Sequence, residues 1–168
     1  MKKFIKPSVA IALGLFASQS ATAAELAIEQ GTMSAGGQAT LGMYMAGGST
    51  IIDVTVAPGF GYFVSDNIEV FGNINFNLVA VGGDSGTSLG LGVGANYYVD
   101  AGSMKVYFGI HTDMALTPEV DIGAGAQAGL LLGLSDSVAL DIGIRPTYYI
   151  QSEVFALNAG AVGIRAFF

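Results

Sequence analysis

At 168 residues, 52% of them hydrophobic and only 11% charged, the chain suits one domain but is too apolar for an ordinary soluble surface. Its formal charge of −7, six Lys and Arg against thirteen Asp and Glu, leaves no basic stripe and excludes nucleic acid as a partner. The absence of cysteine excludes a disulfide framework, and no mature stretch approaches the roughly 18 apolar residues that a transmembrane helix requires.

Residues 1–24, MKKFIKPSVAIALGLFASQSATAA, open on Lys2, Lys3 and Lys6, continue through the apolar run Val9 to Ala17, and end in small residues. Ala21-Thr22-Ala23 forms an A-x-A pattern, so this is a cleaved secretory signal peptide, cut after Ala23 or Ala24. The mature domain, 25–168, then keeps only Lys105, Arg145 and Arg165 against all thirteen acids, a formal charge of −10.

Along the mature chain the hydrophobic period is two. A weak first strand, about Met33 to Met45, sets Ala39, Leu41, Met43 and Met45 against Gln38, Thr40, Gly42 and Tyr44. The second, Ile51 to Val64, sets Ile52, Val54 and Val56 against Asp53, Thr55 and Ala57, and the third, Asn67 to Val81, sets Val70, Ile74 and Phe76 against Glu69, Asn73 and Asn75. In the fourth, Ser88 to Val99, and the sixth, Val120 to Leu134, glycine dominates the second face. The fifth, Met104 to Met114, turns Lys105, Tyr107, His111 and Asp113 away from Val106, Phe108 and Ile110. The seventh, Ser137 to Ile150, turns Asp141, Arg145 and Tyr149 away from Leu140, Ile142 and Ile144, with a bulge or strand end expected at Pro146. The last runs from about Val154 to Phe168. Short turn signals separate all eight, including Gly47-Gly48, Gly82 to Thr87 and Leu116-Thr117-Pro118, and an even count lets the last strand close on the first.

The leucine-rich and β-branched face carries aromatics near strand ends, while the other is small or polar. Eight strands enclose an interior that side chains nearly fill. The large apolar residues therefore face lipid, and the glycines of strands four and six make room for Tyr44, Phe71, Tyr107, Arg145 and Tyr149. A soluble lipocalin-like barrel would turn the apolar face inward and need about ten to fifteen more surface charges. The expected fold is all-β, an eight-stranded antiparallel up-and-down transmembrane barrel.

The signal peptide, the eight alternating segments, the PGFGYFVSDNIEVFGNINF passage and the terminal AVGIRAFF resemble the small bacterial outer-membrane β-barrel family, the group of OmpX and the membrane domain of OmpA. The resemblance spans essentially the whole mature chain. It implies a monomer in outer-membrane lipid with periplasmic termini, helped by periplasmic chaperones and inserted by the barrel-assembly machinery. It also implies an assembly signal at Val162, Ile164, Ala166 and Phe168, where Ala166 departs from the usual aromatic residue. Outside connections near 46–50, 82–88, 115–119 and 151–153 are short for loops that would carry recognition.

The inward charges are Asp53, Glu69, Lys105, His111, Asp113, Asp121, Asp141, Arg145 and Arg165. In a narrow lumen they must pair or stay hydrated, which predicts a polar and salt-bridge network. Arg145 and Arg165, on adjacent strands, are expected to share a carboxylate, Asp141 or Glu69, with Gly163 giving Arg165 space. The function that follows is structural or a minor, cation-preferring permeability. The alternative is surface interaction through the outer loops. One histidine beside Asp113 supplies neither a catalytic set nor a metal site, no cofactor is implied, and the GGDSG run at Gly82 to Gly86 is read as a loop tip because no helix follows it.

Overall fold

The computed structural model describes residues 24–46, 49–81, 84–117 and 119–168, with backbone alone for 42–46 and 49–51. The expected leader (but for Ala24), the expected turns at Gly47-Gly48 and Gly82-Gly83, Pro118 and the Tyr44 side chain lie outside the described residues.

Eight strands follow in order: β1 Met33–Ala46, β2 Ser49–Ser65, β3 Ile68–Val81, β4 Asp84–Ala101, β5 Met104–Ala115, β6 Asp121–Gly133, β7 Val138–Tyr149 and β8 Val154–Phe167. Each pairs antiparallel with the next, and β8 pairs with β1, giving a closed barrel. Both ends of the described chain lie at one rim, here the terminal rim, and the β1–β2, β3–β4, β5–β6 and β7–β8 connections lie at the distal rim.

The two-residue period has its physical cause in the pleat, which points alternate side chains to opposite sides of the wall. Outward positions form an apolar belt: Phe60 is 70% exposed and Ile110 71%. So much exposed apolar surface suits lipid, not water. Inward positions are glycine, small, polar or aromatic, apart from a few aliphatic residues such as Leu131. Gly94 faces Phe71, Gly129 faces Tyr107, Gly92 faces Arg145 and Gly123 faces Tyr149; a side chain at any of these glycines would strike the facing group.

Two local features differ from the sequence reading. β4 begins at Asp84, so Asp84, Ser85 and Gly86 pair with Val81, Ala80 and Val79 as strand and are not a loop tip. β3 runs to Val81, and its backbone supplies the ladder whatever side chains β4 presents. The bulge of β7–β8 lies not at Pro146 but at Gly160, where Gly143 faces Ala161 and Ile144 faces Ala159. Gly160 has φ 73, a left-handed conformation that a glycine adopts without strain. Pro146 lacks an N–H, and the β6–β7 ladder skips it while keeping one register on both sides.

Candidate functional site

The lumen is filled in layers, each built by inward residues at one height of the wall. At the terminal rim Phe63, Tyr98, Tyr107, Leu131, Ala139 and Phe167 form an apolar floor. Residues 24–32 fold beneath it as a strap. Ala24 and Ala27 donate to the Gly133 and Asp136 carbonyls, Gly31 to Phe63, and Gln30 to the Asp66 carboxylate, while Leu26, 6% exposed, seats in the floor with Ile28 beside it. The sequence offers no periodicity for this strap; its only signal is the apolar pair Leu26 and Ile28 in an otherwise polar stretch.

The seating is testable by labelling. Ala139→Cys, at a fully buried position of a cysteine-free chain, is expected to resist a water-soluble maleimide. Adding Leu26→Ser is expected to raise the labelling rate by about tenfold or more, because a polar stopper opens locally while the strands stay paired. Equal rates would show that Leu26 seals nothing.

Above the floor lies the first polar layer. Arg165 on β8 donates to Glu69 Oε2 at 2.8 Å, Asp141 Oδ2 at 2.6 Å and the Tyr98 hydroxyl at 2.7 Å. Glu69 also accepts from Ser34 at 2.5 Å, Tyr98 at 2.6 Å and Asn96 at 3.0 Å, and Tyr107 donates to Asp141 at 2.9 Å. Glu69 and Asp141 are buried, and every charge has an opposite charge and neutral donors around it, as a desolvated cluster requires. Gly61 faces this layer because a Cβ there would meet the Ser34 hydroxyl at 2.5 Å and the Glu69 carboxyl carbon at 2.7 Å.

The second polar layer lies one step towards the distal rim. Arg145 donates to Asp113 Oδ1 at 2.6 Å, His111 Nε2 lies 3.3 Å from Asp113 Oδ2 and 2.9 Å from the Thr147 hydroxyl, and Asn75 donates to Asp113 at 3.5 Å. The Arg145 guanidinium sits 5.9 Å from the Phe71 ring centre. Between the layers lies a chamber of about 60 Å³ bordered by Asn73, Gln127, Arg145 and Arg165. Beyond the second layer opens a vestibule of about 540 Å³, with Thr40, Asp53, Asn77, Glu119, Tyr149 and Asn158 on its wall.

The nine sequence-selected charged and titratable residues therefore divide. Glu69, Asp141 and Arg165 come together in one layer; His111, Asp113 and Arg145 in another. The two arginines share no carboxylate. Asp141 and Arg145 project from the same face of β7 four residues apart, about 13 Å along a strand, so Arg145 stands a full layer above Asp141. Asp53 joins neither; it accepts from Asn77 at 3.0 Å in the vestibule wall. Lys105 pairs with Asp100 at the terminal rim, and Asp121 accepts the Gln151 and Ser152 amides at the distal rim. The sequence reading passed over Ser34, Asn96 and Tyr98 as network members. Asn96 and Tyr98 were legible as inward residues of the glycine face of β4, but their partners were not.

Outward exposure of Val162, Ile164 and Phe168, and burial of Phe167 against Phe63, fix the two faces of β8. Ala166 is only partly exposed.

No family model matches the chain, and no curated protein matches it. Solved structures share its architecture, among them the following two. One, from the de novo design of transmembrane β-barrels, has a TM-score of 0.51 at 20% identity and covers 83% of this chain and 98% of the other. The second, the outer membrane protein OprG from Pseudomonas aeruginosa, has a TM-score of 0.54 at 13% identity and covers 84% of this chain and 97% of the other. The chain has the fold of a transmembrane β-barrel. At these identities the likeness is one of fold alone.

Proposed function

We propose that the chain is a monomeric, OmpX-like integral barrel of a bacterial outer membrane, exported by the leader at 1–24, with a structural role and a closed lumen. The observation that carries this reading is the succession of Leu26, the Glu69–Arg165–Asp141 layer and the Asp113–Arg145 layer, with a chamber of about 60 Å³ between the two layers. Charges so fully paired gain nothing from a passing ion that could not also be had in place. A minor permeability would begin at the acid-lined vestibule and would have to break both layers. The reading is non-catalytic, with His111 spent on Thr147 and Asp113. The termini are periplasmic in this reading. Val162, Ile164, Ala166 and Phe168 then present the signal read by periplasmic chaperones and the barrel-assembly machinery. The short distal hairpins give little support to a surface-interaction role.

Two measurements test this. Membrane-fraction protein is expected to migrate differently on a gel before and after boiling, as a folded barrel does; identical mobility would remove the architecture. Refolded protein in planar bilayers is expected to show no discrete conductance. Regular unit steps would instead establish a pore.

A further inference from the structure

The ladder that closes the barrel stops halfway. Bridges between β1 and β8 run from Ser34–Phe167 to Ala39–Val162, although β1 continues to Ala46 and β8 begins at Val154. Continuing the same register would set Thr40 opposite Ala161 and Ala46 opposite Phe155, so both strands are long enough to pair. On their other sides they remain laddered, β1 with β2 as far as Ala46 and β8 with β7 from Val154. The interruption coincides with the Gly160 bulge, whose extra residue bends β8 where the bridges to β1 end. Among the described residues no bridge spans the distal half of this junction, here called the slit.

The slit is apolar outside and polar inside. Leu41 is 74% exposed on one outer lip, and Phe155 and Leu157 are 65% and 51% exposed on the other. Thr40 and Asn158 line the vestibule behind it. Within hydrocarbon, a row of backbone N–H and C=O groups without strand partners is tolerated only where it borders a water-filled cavity. The vestibule is that cavity, and the slit therefore joins it to the lipid. Its charge is one-sided: Asp53, Asp113, Glu119 and Asp121 face a single cation, Arg145, already held by Asp113. That field favours a positive guest and repels a negative one.

We propose that the vestibule binds the cationic head of a single-chain amphiphile that enters sideways from the lipid through the β1–β8 slit. Its hydrocarbon chain lies against Leu41, Phe155 and Leu157. The floor of His111, Asp113 and Arg145 makes the site blind, so the guest is held and not passed on. The inference rests on the barrel lying in lipid, as proposed above.

The test uses Asn158→Cys in the otherwise cysteine-free chain, reconstituted in lipid nanodiscs and labelled with a water-soluble maleimide. Dodecyltrimethylammonium is expected to slow labelling about tenfold, a difference of about 1.4 kcal/mol in occupancy, with little effect from tetramethylammonium or dodecyl sulfate. Equal slowing by tetramethylammonium would show no chain site, equal slowing by dodecyl sulfate no charge selection, and no slowing no site; each overturns the proposal. Deleting Gly160 restores one alternation along β8 and lets the ladder run on, and is expected to abolish the protection. Asp53→Asn, which leaves the backbone alone, is expected to weaken it, and unchanged protection in both variants would also overturn it. Heat-dependent gel mobility of the same samples reports the barrel separately: loss of the shift in the parent removes the membrane reading, whereas a retained shift without protection removes only this site.

Discussion

Arg165→Met is expected to lower the stability of the folded barrel by about 3–5 kcal/mol, the cost of leaving buried charge without its partner. Total stabilities of about 5–15 kcal/mol make this about a fifth or more of what holds a typical domain together. The size follows from geometry. One guanidinium holds two buried carboxylates, Glu69 at 2.8 Å and Asp141 at 2.6 Å, and its loss strands both. The measurement is the urea midpoint of protein refolded into lipid vesicles. The triple change Arg165→Met, Glu69→Gln, Asp141→Asn is expected to be less destabilised than Arg165→Met alone, because no charge remains uncompensated. Lys105→Met supplies the contrast: its partner Asp100 is 70% exposed, and such a pair contributes about 0–1 kcal/mol. If Arg165→Met and Lys105→Met shift the midpoint equally, the first layer does not hold the barrel.

The eight strands were legible because a wall with lipid on one side must be apolar at alternate residues, and Ile110 or Val162 carries that requirement in its own identity. The inward faces were legible for the same reason, which is why Glu69, His111, Asp113, Asp141, Arg145 and Arg165 all fall in the lumen. Height along the lumen was not legible. It depends on how far each strand is shifted against the next, and the wall sets Asp141 beside Gly163 but Arg145 beside Asn158. Hence the two arginines could be placed inside without their partners being assignable. Lys105 and Asp121 share the inward alternation yet sit at the rims, where Asp100 satisfies one and turn amides the other. The strap was invisible for a different reason: Leu26 has no periodic context, and its value comes only from the pocket that Phe63, Leu131 and Phe167 build from distant parts of the chain. Gly160 was likewise silent, since one glycine among 25 carries no mark of a bulge until its neighbours Ala159 and Ala161 are seen to pair with adjacent residues of β7.

Gly163→Ala is expected to damage the barrel more than its single added carbon implies. The sequence suggests that Gly163 gives Arg165 room, but the added Cβ would point at the Gly37 backbone, striking its carbonyl, with the Gln38 Cα only 3.0 Å away. Backbone cannot rotate away as a side chain can. Gly163 sits opposite Gln38, inside the one stretch where β8 and β1 are bridged. Forcing the strands apart there attacks closure of the barrel at the junction that has the fewest bridges among the described residues. Overpacking in a well-filled site costs about 1–3 kcal/mol, and here the strain falls on ladder hydrogen bonds whose loss in lipid has no solvent to compensate it. The control is Gly86→Ala, where an added Cβ meets nothing within 4 Å. Gly163→Ala is expected to lower the urea midpoint and the yield of the heat-modifiable form, while Gly86→Ala leaves both unchanged. A Gly163→Ala barrel with the parent midpoint would mean that β1 and β8 are free to separate at Gln38 without cost, and that closure rests on the other strand pairs alone.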